Sequence, residues 1–143
     1  MRKITTSILA TAVALSLGLA GCTQETPEEA RQAAAEDIAE TRADARETYA
    51  ESRGEVAEAA MSEPSQLREA TADAVEDSAQ ARYEVEVEEA EGRHRVAVAE
   101  CNQIEDRDAR SACTDRADEE RDMARERAEE RRDAAERAAD RID

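Results

Sequence analysis

Residues 83–104 read YEVEVEEAEGRHRVAVAECNQI, and the spacing of their apolar members decides the fold. Tyr83, Val87, Ala90, His94, Ala97, Cys101 and Ile104 stand at i, i+4, i+7, i+11, i+14, i+18 and i+21, one continuous stripe on a helix of 3.6 residues per turn. The run Glu84-Val85-Glu86-Val87-Glu88 alternates with period two and, taken alone, reads as a strand. It has no bounding turn residues and lies inside the longer stripe, so helix is the consistent reading.

The helical period continues on both sides. Thr26-Pro27-Glu28-Glu29 reads as a helix start, with Thr26 as cap, Pro27 at the first helical position and Glu29 completing a capping box. Beyond it Ile38, Ala45, Ser52 and Ala59 recur seven apart, with Tyr49 and Val56 beside them. Gly54 is a soft spot there, costing about 1 kcal/mol relative to alanine. Ser62-Glu63-Pro64 breaks the pattern, because proline inside a helix loses a hydrogen bond and clashes with the preceding turn, while Ser62 can cap a new helix. From about Ser111 a third stripe holds Ala117, Ala124, Ala128, Ala135, Ala138 and Ile142, with Asp118 to Arg121 and Asp133 to Arg137 expected as outward pairs. The expected fold is all-α. Three long antiparallel alanine-rich helices, near 27–60, 64–104 and 110–143, form a bundle or a self-associating coiled coil.

Composition sets the limits of such a fold. The chain has 143 residues, allowing one domain, and its 40% hydrophobic content is mostly alanine, with Tyr49 and Tyr83 the only aromatics. Alanine removes little apolar area from water, so burial offsets the ordering entropy poorly. Few large aliphatics with high net charge is also a signature of disorder, and a chain helical only in company or in brine is the competing reading. Formal charge is −17. With so few aromatics, that excludes the electrostatic footprint and stacking platforms of a nucleic-acid binder. Lys3 is the only lysine, so every later positive side chain is arginine, which fits GC-rich coding or an acidic surface adapted to salt.

Arg2 and Lys3 form a positive n-region, Ile8 to Leu17 an apolar h-region, and Leu19-Ala20-Gly21 a small-residue cleavage site before Cys22. Leu19-Ala20-Gly21-Cys22 resembles the lipobox of bacterial lipoproteins. The resemblance implies a signal peptide over 1–21, diacylglycerol on the Cys22 thiol, and a membrane partner reached through covalent lipid. An ordinary signal peptide or a short uncleaved anchor are the alternatives, but the apolar stretch is shorter than the ~20 residues a spanning helix needs. Residues 22–26 are then a tether and 27–143 the helical domain. Thr23 stands where Asp is the usual inner-membrane retention signal of that class, so the expected address is the outer membrane, facing the periplasm.

Cys101 and Cys113 are twelve residues apart, about 18 Å on an uninterrupted helix at 1.5 Å per residue. A disulfide needs roughly 4.4–6.8 Å. The leader directs the chain to an oxidising compartment, so a bridged pair requires a reversal, and Glu105-Asp106-Arg107-Asp108 is the polar stretch for it. The expected outcome is a hairpin stapled by Cys101–Cys113; the alternative is two free thiols. Cys101, Cys113, Ala117 and Ala124 resemble the paired-cysteine segment of small alanine-rich cell-envelope proteins of proteobacteria. That resemblance covers the last third of the chain, lacks the glycine expected between the cysteines, and implies a periplasmic hairpin without implying an activity.

No other constellation carries chemistry. His94, Cys101 and Cys113 are three potential zinc ligands without paired close spacing, and a disulfide removes two of them, so no metal is expected. Asp106 and Asp108 lack the glycine and glutamate spacing of a calcium loop. No nucleophile motif or phosphate-binding glycine loop appears, so the chain reads as neither an enzyme nor a binder of cofactors or small substrates. The expected role is a lipid-anchored structural or interaction protein, joined to a second copy or an envelope partner. A periplasmic stress protein collecting cations or basic polypeptides by charge is the alternative. With no lysine after Lys3, attachment to peptidoglycan through a terminal lysine, as in one small helical lipoprotein family, is not expected.

Overall fold

The computed structural model describes residues 24–142. Three helices account for nearly all of them: α1 (Pro27–Ala59), α2 (Pro64–Cys101) and α3 (Arg107–Ala139), and no strand occurs among the described residues. The chain is all-α, with the three antiparallel helices read from its periodicity.

Their ends follow local chemistry. At α1 the Thr26 hydroxyl accepts from the Glu29 amide at 3.3 Å, and the Glu29 carboxylate accepts from the Thr26 amide at 2.9 Å, so the capping box forms as read. At α2 the cap falls on Glu63, not Ser62, and makes no side-chain bond. Pro64 is the cause: at the first helical position it forces the preceding residue into extended conformation (φ −80°, ψ 151°), the backbone of an N-cap. α2 ends at Cys101, three residues before the expected 104. Ile104 therefore leaves the stripe for a tight turn, where its amide donates to the Cys101 carbonyl at 3.0 Å and its own carbonyl accepts from Arg110 at 3.1 Å. The reversal spans 102–106, slightly earlier than read, because Asp106 caps α3 by accepting from the Ala109 amide at 2.8 Å. α3 stops at Ala139, short of the expected 143.

Both outer helices pack on α2 and neither touches the other. Gly92 lies against Ala34 and Ile38 of α1, whereas Cys101 is bonded to Cys113 of α3. Nine residues at about 100° each put these two positions half a turn apart on α2. The molecule is thus a flat layer one helix thick, not a bundle closed around a centre.

The flat layer explains what is buried. Ala30, Ala34 and Ala45 of α1 face a stripe of α2 that includes Ala81, Gly92 and Ala99, while Ala117 and Ala128 of α3 sit along the Ala90–Cys101 stripe. Cys101 is the largest side chain that is almost completely buried. Val85, Val87, Val96, Val98, Ile38 and Ile142 are only half-buried, since a single layer has no second layer to cover them. Among the described residues Ser52 is the one buried polar side chain, its hydroxyl 3.0 Å from the Thr48 carbonyl and 3.3 Å from the Asp77 carboxylate.

Candidate functional site

Cys22, the expected lipidation site, lies outside the described residues. The described chain begins at Gln24 and enters α1 at Pro27.

Cys101 and Cys113 are brought together. Their α-carbons are 5.6 Å apart and their sulfurs are bonded, because the turn at 102–106 reverses the chain between them. The bridge ties the end of α2 to the first turns of α3. It also removes both thiols from metal chemistry. His94, which shares the Cys101 stripe, is turned to α3, with Nε2 2.8 Å from an Asp118 carboxylate oxygen that Arg121 also approaches at 3.2 Å. Among the described residues no three His, Cys, Asp or Glu side chains converge as metal ligands.

Charged pairs bind the layer along both seams. Arg31 meets Glu100, Arg42 meets Glu89 at 2.7 Å and Arg95 meets Asp37 at 2.7 Å between α1 and α2; Arg125 meets Glu91 at 3.1 Å and Arg131 meets Glu86 at 2.7 Å between α2 and α3. These pairs are exposed or only partly covered, so each contributes modestly, about 0–1 kcal/mol, and together they fix register more than stability. The Asp37 carboxylate, hydrogen-bonded to it, raises the Arg95 guanidinium above its ordinary value; Asp122 and Asp133 do the same for Arg121 and Arg132. Asp133 thus pairs with Arg132 at 2.8 Å and not with Arg137 as expected; Asp118 and Arg121 do pair, at 3.2 Å, but against His94 on the α2–α3 seam and not outward as expected. Arg132 additionally stacks over Tyr83, its guanidinium carbon 4.9 Å from the ring centre. Glu29 is held below the usual carboxylate range, mainly by the Thr26 amide that it accepts from.

Near the disulfide end a shallow depression is lined by Glu25, Glu91, His94, Arg95, Val98 and Asn102, and at the α1–α2 turn another is lined by Glu55, Glu58, Glu69 and Asp73. An apolar groove of about 340 Å³ lies between α1 and α2, lined by Ala34, Ile38, Gly92 and Val96 with Arg31, Arg93 and Glu100 beside them. Gly92 lets α1 and α2 approach closely: a Cβ there would stand 3.0 Å from the Ala34 Cβ and 3.1 Å from the Ile38 Cδ1. The single stripe read along 83–104 misses it. A second set of positions, 81, 85, 88, 92, 95 and 99, runs at alternating spacings of four and three on the opposite side of α2, and that set was the available signal.

No helix among the described residues is long and apolar enough to cross a membrane. No family model matches the chain, and no curated protein or solved structure matches it significantly.

Proposed function

We propose that this chain is a bacterial envelope lipoprotein, held to a membrane by lipid on Cys22, with a structural or protein-interaction role and no catalytic activity. The observation that carries the reading is the ordered leader: a basic start, an apolar stretch and Leu19-Ala20-Gly21-Cys22. Several acyl chains, at ~0.8 kcal/mol per buried CH₂, make such an anchor nearly permanent. Thr23 directs the expected address to the outer membrane on its periplasmic side. An interaction role is supported by a layer whose valines and isoleucines are half-covered, leaving apolar surface for a partner helix. A disulfide suits an oxidising compartment. Metabolic labelling with a tagged fatty acid tests the anchor: the wild-type chain carries label and sediments with membranes, and Cys22→Ser loses both. Unlabelled, freely soluble wild type refutes it.

A second reading is favoured by one observation, the four carboxylates of Glu55, Glu58, Glu69 and Asp73 gathered at the α1–α2 turn. On that reading the protein collects cations or basic polypeptides by charge. Calorimetric titration with calcium and with a cationic protein separates the two, because charge-driven uptake gives heat that fades as salt rises and the structural role gives none.

A further inference from the structure

We infer that α3 is an arm whose docking on α2 is set by the redox state of Cys101 and Cys113, while the α1–α2 hairpin stands without it. This redox coupling goes beyond the role proposed above and holds whether or not Cys22 carries lipid. The two seams of the layer are built from different material.

The α1–α2 seam has apolar substance. Ile38, Tyr49 and Val56 of α1 are half-buried, Ala30, Ala34 and Ala45 are covered, and Gly92 lets the two backbones close up beside Ala34.

The α3 side of the other seam offers only methyl groups. From Arg107 to Ala139 there is no leucine, isoleucine, valine or aromatic residue, and Met123 is 48% exposed. The buried residues of α3 are Ala117, Ala128 and Ala139. Alanine withdraws little apolar area from water, so burial at about 25 cal/mol per Å² holds α3 weakly. What remains across the seam is polar: Arg125 to Glu91 at 3.1 Å, Arg131 to Glu86 at 2.7 Å, Asp118 to His94 at 2.8 Å, and the Arg132 guanidinium over Tyr83. Ion pairs as exposed as these add little.

The covalent bond is therefore the main restraint on α3. The turn at 102–106 keeps the two helices near each other, but Cys101–Cys113 pins the first two turns of α3 against the end of α2 and so fixes the direction in which the rest grows. With those turns already ordered, the costly nucleation of the helix is met in advance.

A dithiol reductant undoes this. One of its thiolates attacks the sulfur of Cys113, the more exposed of the pair, and the Cys101 sulfur leaves as a thiolate and takes a proton. The second thiol of the reductant then displaces the Cys113 sulfur, which takes the other proton. Two electrons pass to the protein, and the reductant ends as a cyclic disulfide. Oxidation by a disulfide-donating protein runs the exchange in reverse, so α3 docks last, after α1 and α2 have paired.

The test compares the full chain, oxidised, with the same chain held in excess dithiothreitol, by hydrogen exchange read with mass spectrometry. Closing a loop of this length is equivalent to roughly a hundredfold in the opening equilibrium, so amides of 107–139 are expected to exchange about ten- to a hundredfold faster after reduction, most of all near Cys113. Amides of α1 are expected to change by less than about threefold. A variant carrying Cys101→Ser with Cys113→Ser should exchange at the reduced rate in both conditions, which separates loss of the bond from any other effect of the reductant. Far-UV circular dichroism should show the reduced chain still mainly helical. Protection of α3 that survives in dithiothreitol, a serine variant as protected in α3 as the oxidised wild type, or loss of protection in all three helices together each overturn the inference.

Discussion

Two glycines in helices respond oppositely to the same substitution. Replacing glycine by alanine in a helix interior gains about 1 kcal/mol from backbone entropy. At Gly54 a Cβ meets nothing within 4 Å, so the full gain is expected. At Gly92 the new Cβ lands 3.0 Å from the Ala34 Cβ, which is fixed to its backbone with the Cα only 3.8 Å away and cannot rotate aside. Ile38 Cδ1, at 3.1 Å, is the far end of a flexible side chain and can move. α1 must therefore shift from α2, and overpacking of about 1–3 kcal/mol cancels or exceeds the entropy gain, leaving Gly92→Ala neutral to about 2 kcal/mol destabilised. The two variants should thus differ by about 1–3 kcal/mol, read as separate midpoints in urea unfolding followed by circular dichroism at 222 nm. Unchanged m-values are required for the comparison. If Gly92→Ala gains as much as Gly54→Ala, the close α1–α2 approach at Gly92 is wrong.

Other consequences follow from the same geometry. Cys113→Ser should lose on the order of 3 kcal/mol by freeing the 102–112 loop in the unfolded chain, and wild type in reductant should converge on the variant's urea midpoint. Ala90, 1% exposed between α2 and α3, borders a cavity of about 50 Å³ that takes only part of a larger side chain: Ala90→Leu should destabilise by about 1–3 kcal/mol, more than trimming half-buried Val98 to alanine. Glu29 has a depressed pKa in the folded chain, so its contribution to the α1 start is complete above the ordinary value of 4.5 and disappears as pH falls through its lower folded value. Amide exchange at Glu28 to Ala30 should accelerate over that acid range in wild type, after correction for intrinsic rates, and Glu29→Gln should flatten the change.

Much of the architecture was readable because helix starts and seams are local. Thr26, Pro27 and Glu29 lie within four residues, and their cap depends on nothing distant. The Tyr83–Cys101 stripe declares its period by itself, which is why Val85 and Val87 did not mislead as a strand. The ends were less legible. Ile104 continues the period, but whether a helix continues with it depends on the staple from Cys101 to Cys113 and on the cap at Asp106, and these compete with the pattern. Asp133 chose Arg132 over Arg137 through side-chain geometry that spacing does not fix.

The sequence by itself determined helices, their number, their antiparallel order and the need for a reversal between the two cysteines, all consequences of period and chain reach. Only the tertiary structure decided that α1 and α3 take opposite sides of α2. Periodicity marks which residues turn inward on each helix, but two stripes half a turn apart on α2 can be told from one broad stripe only when the neighbours are in place. Alanine makes this acute: it is equally at home in a seam and on a surface, so burial of Ala81 or Ala99, and exposure of Ala35 or Ala43, is settled by what packs against them.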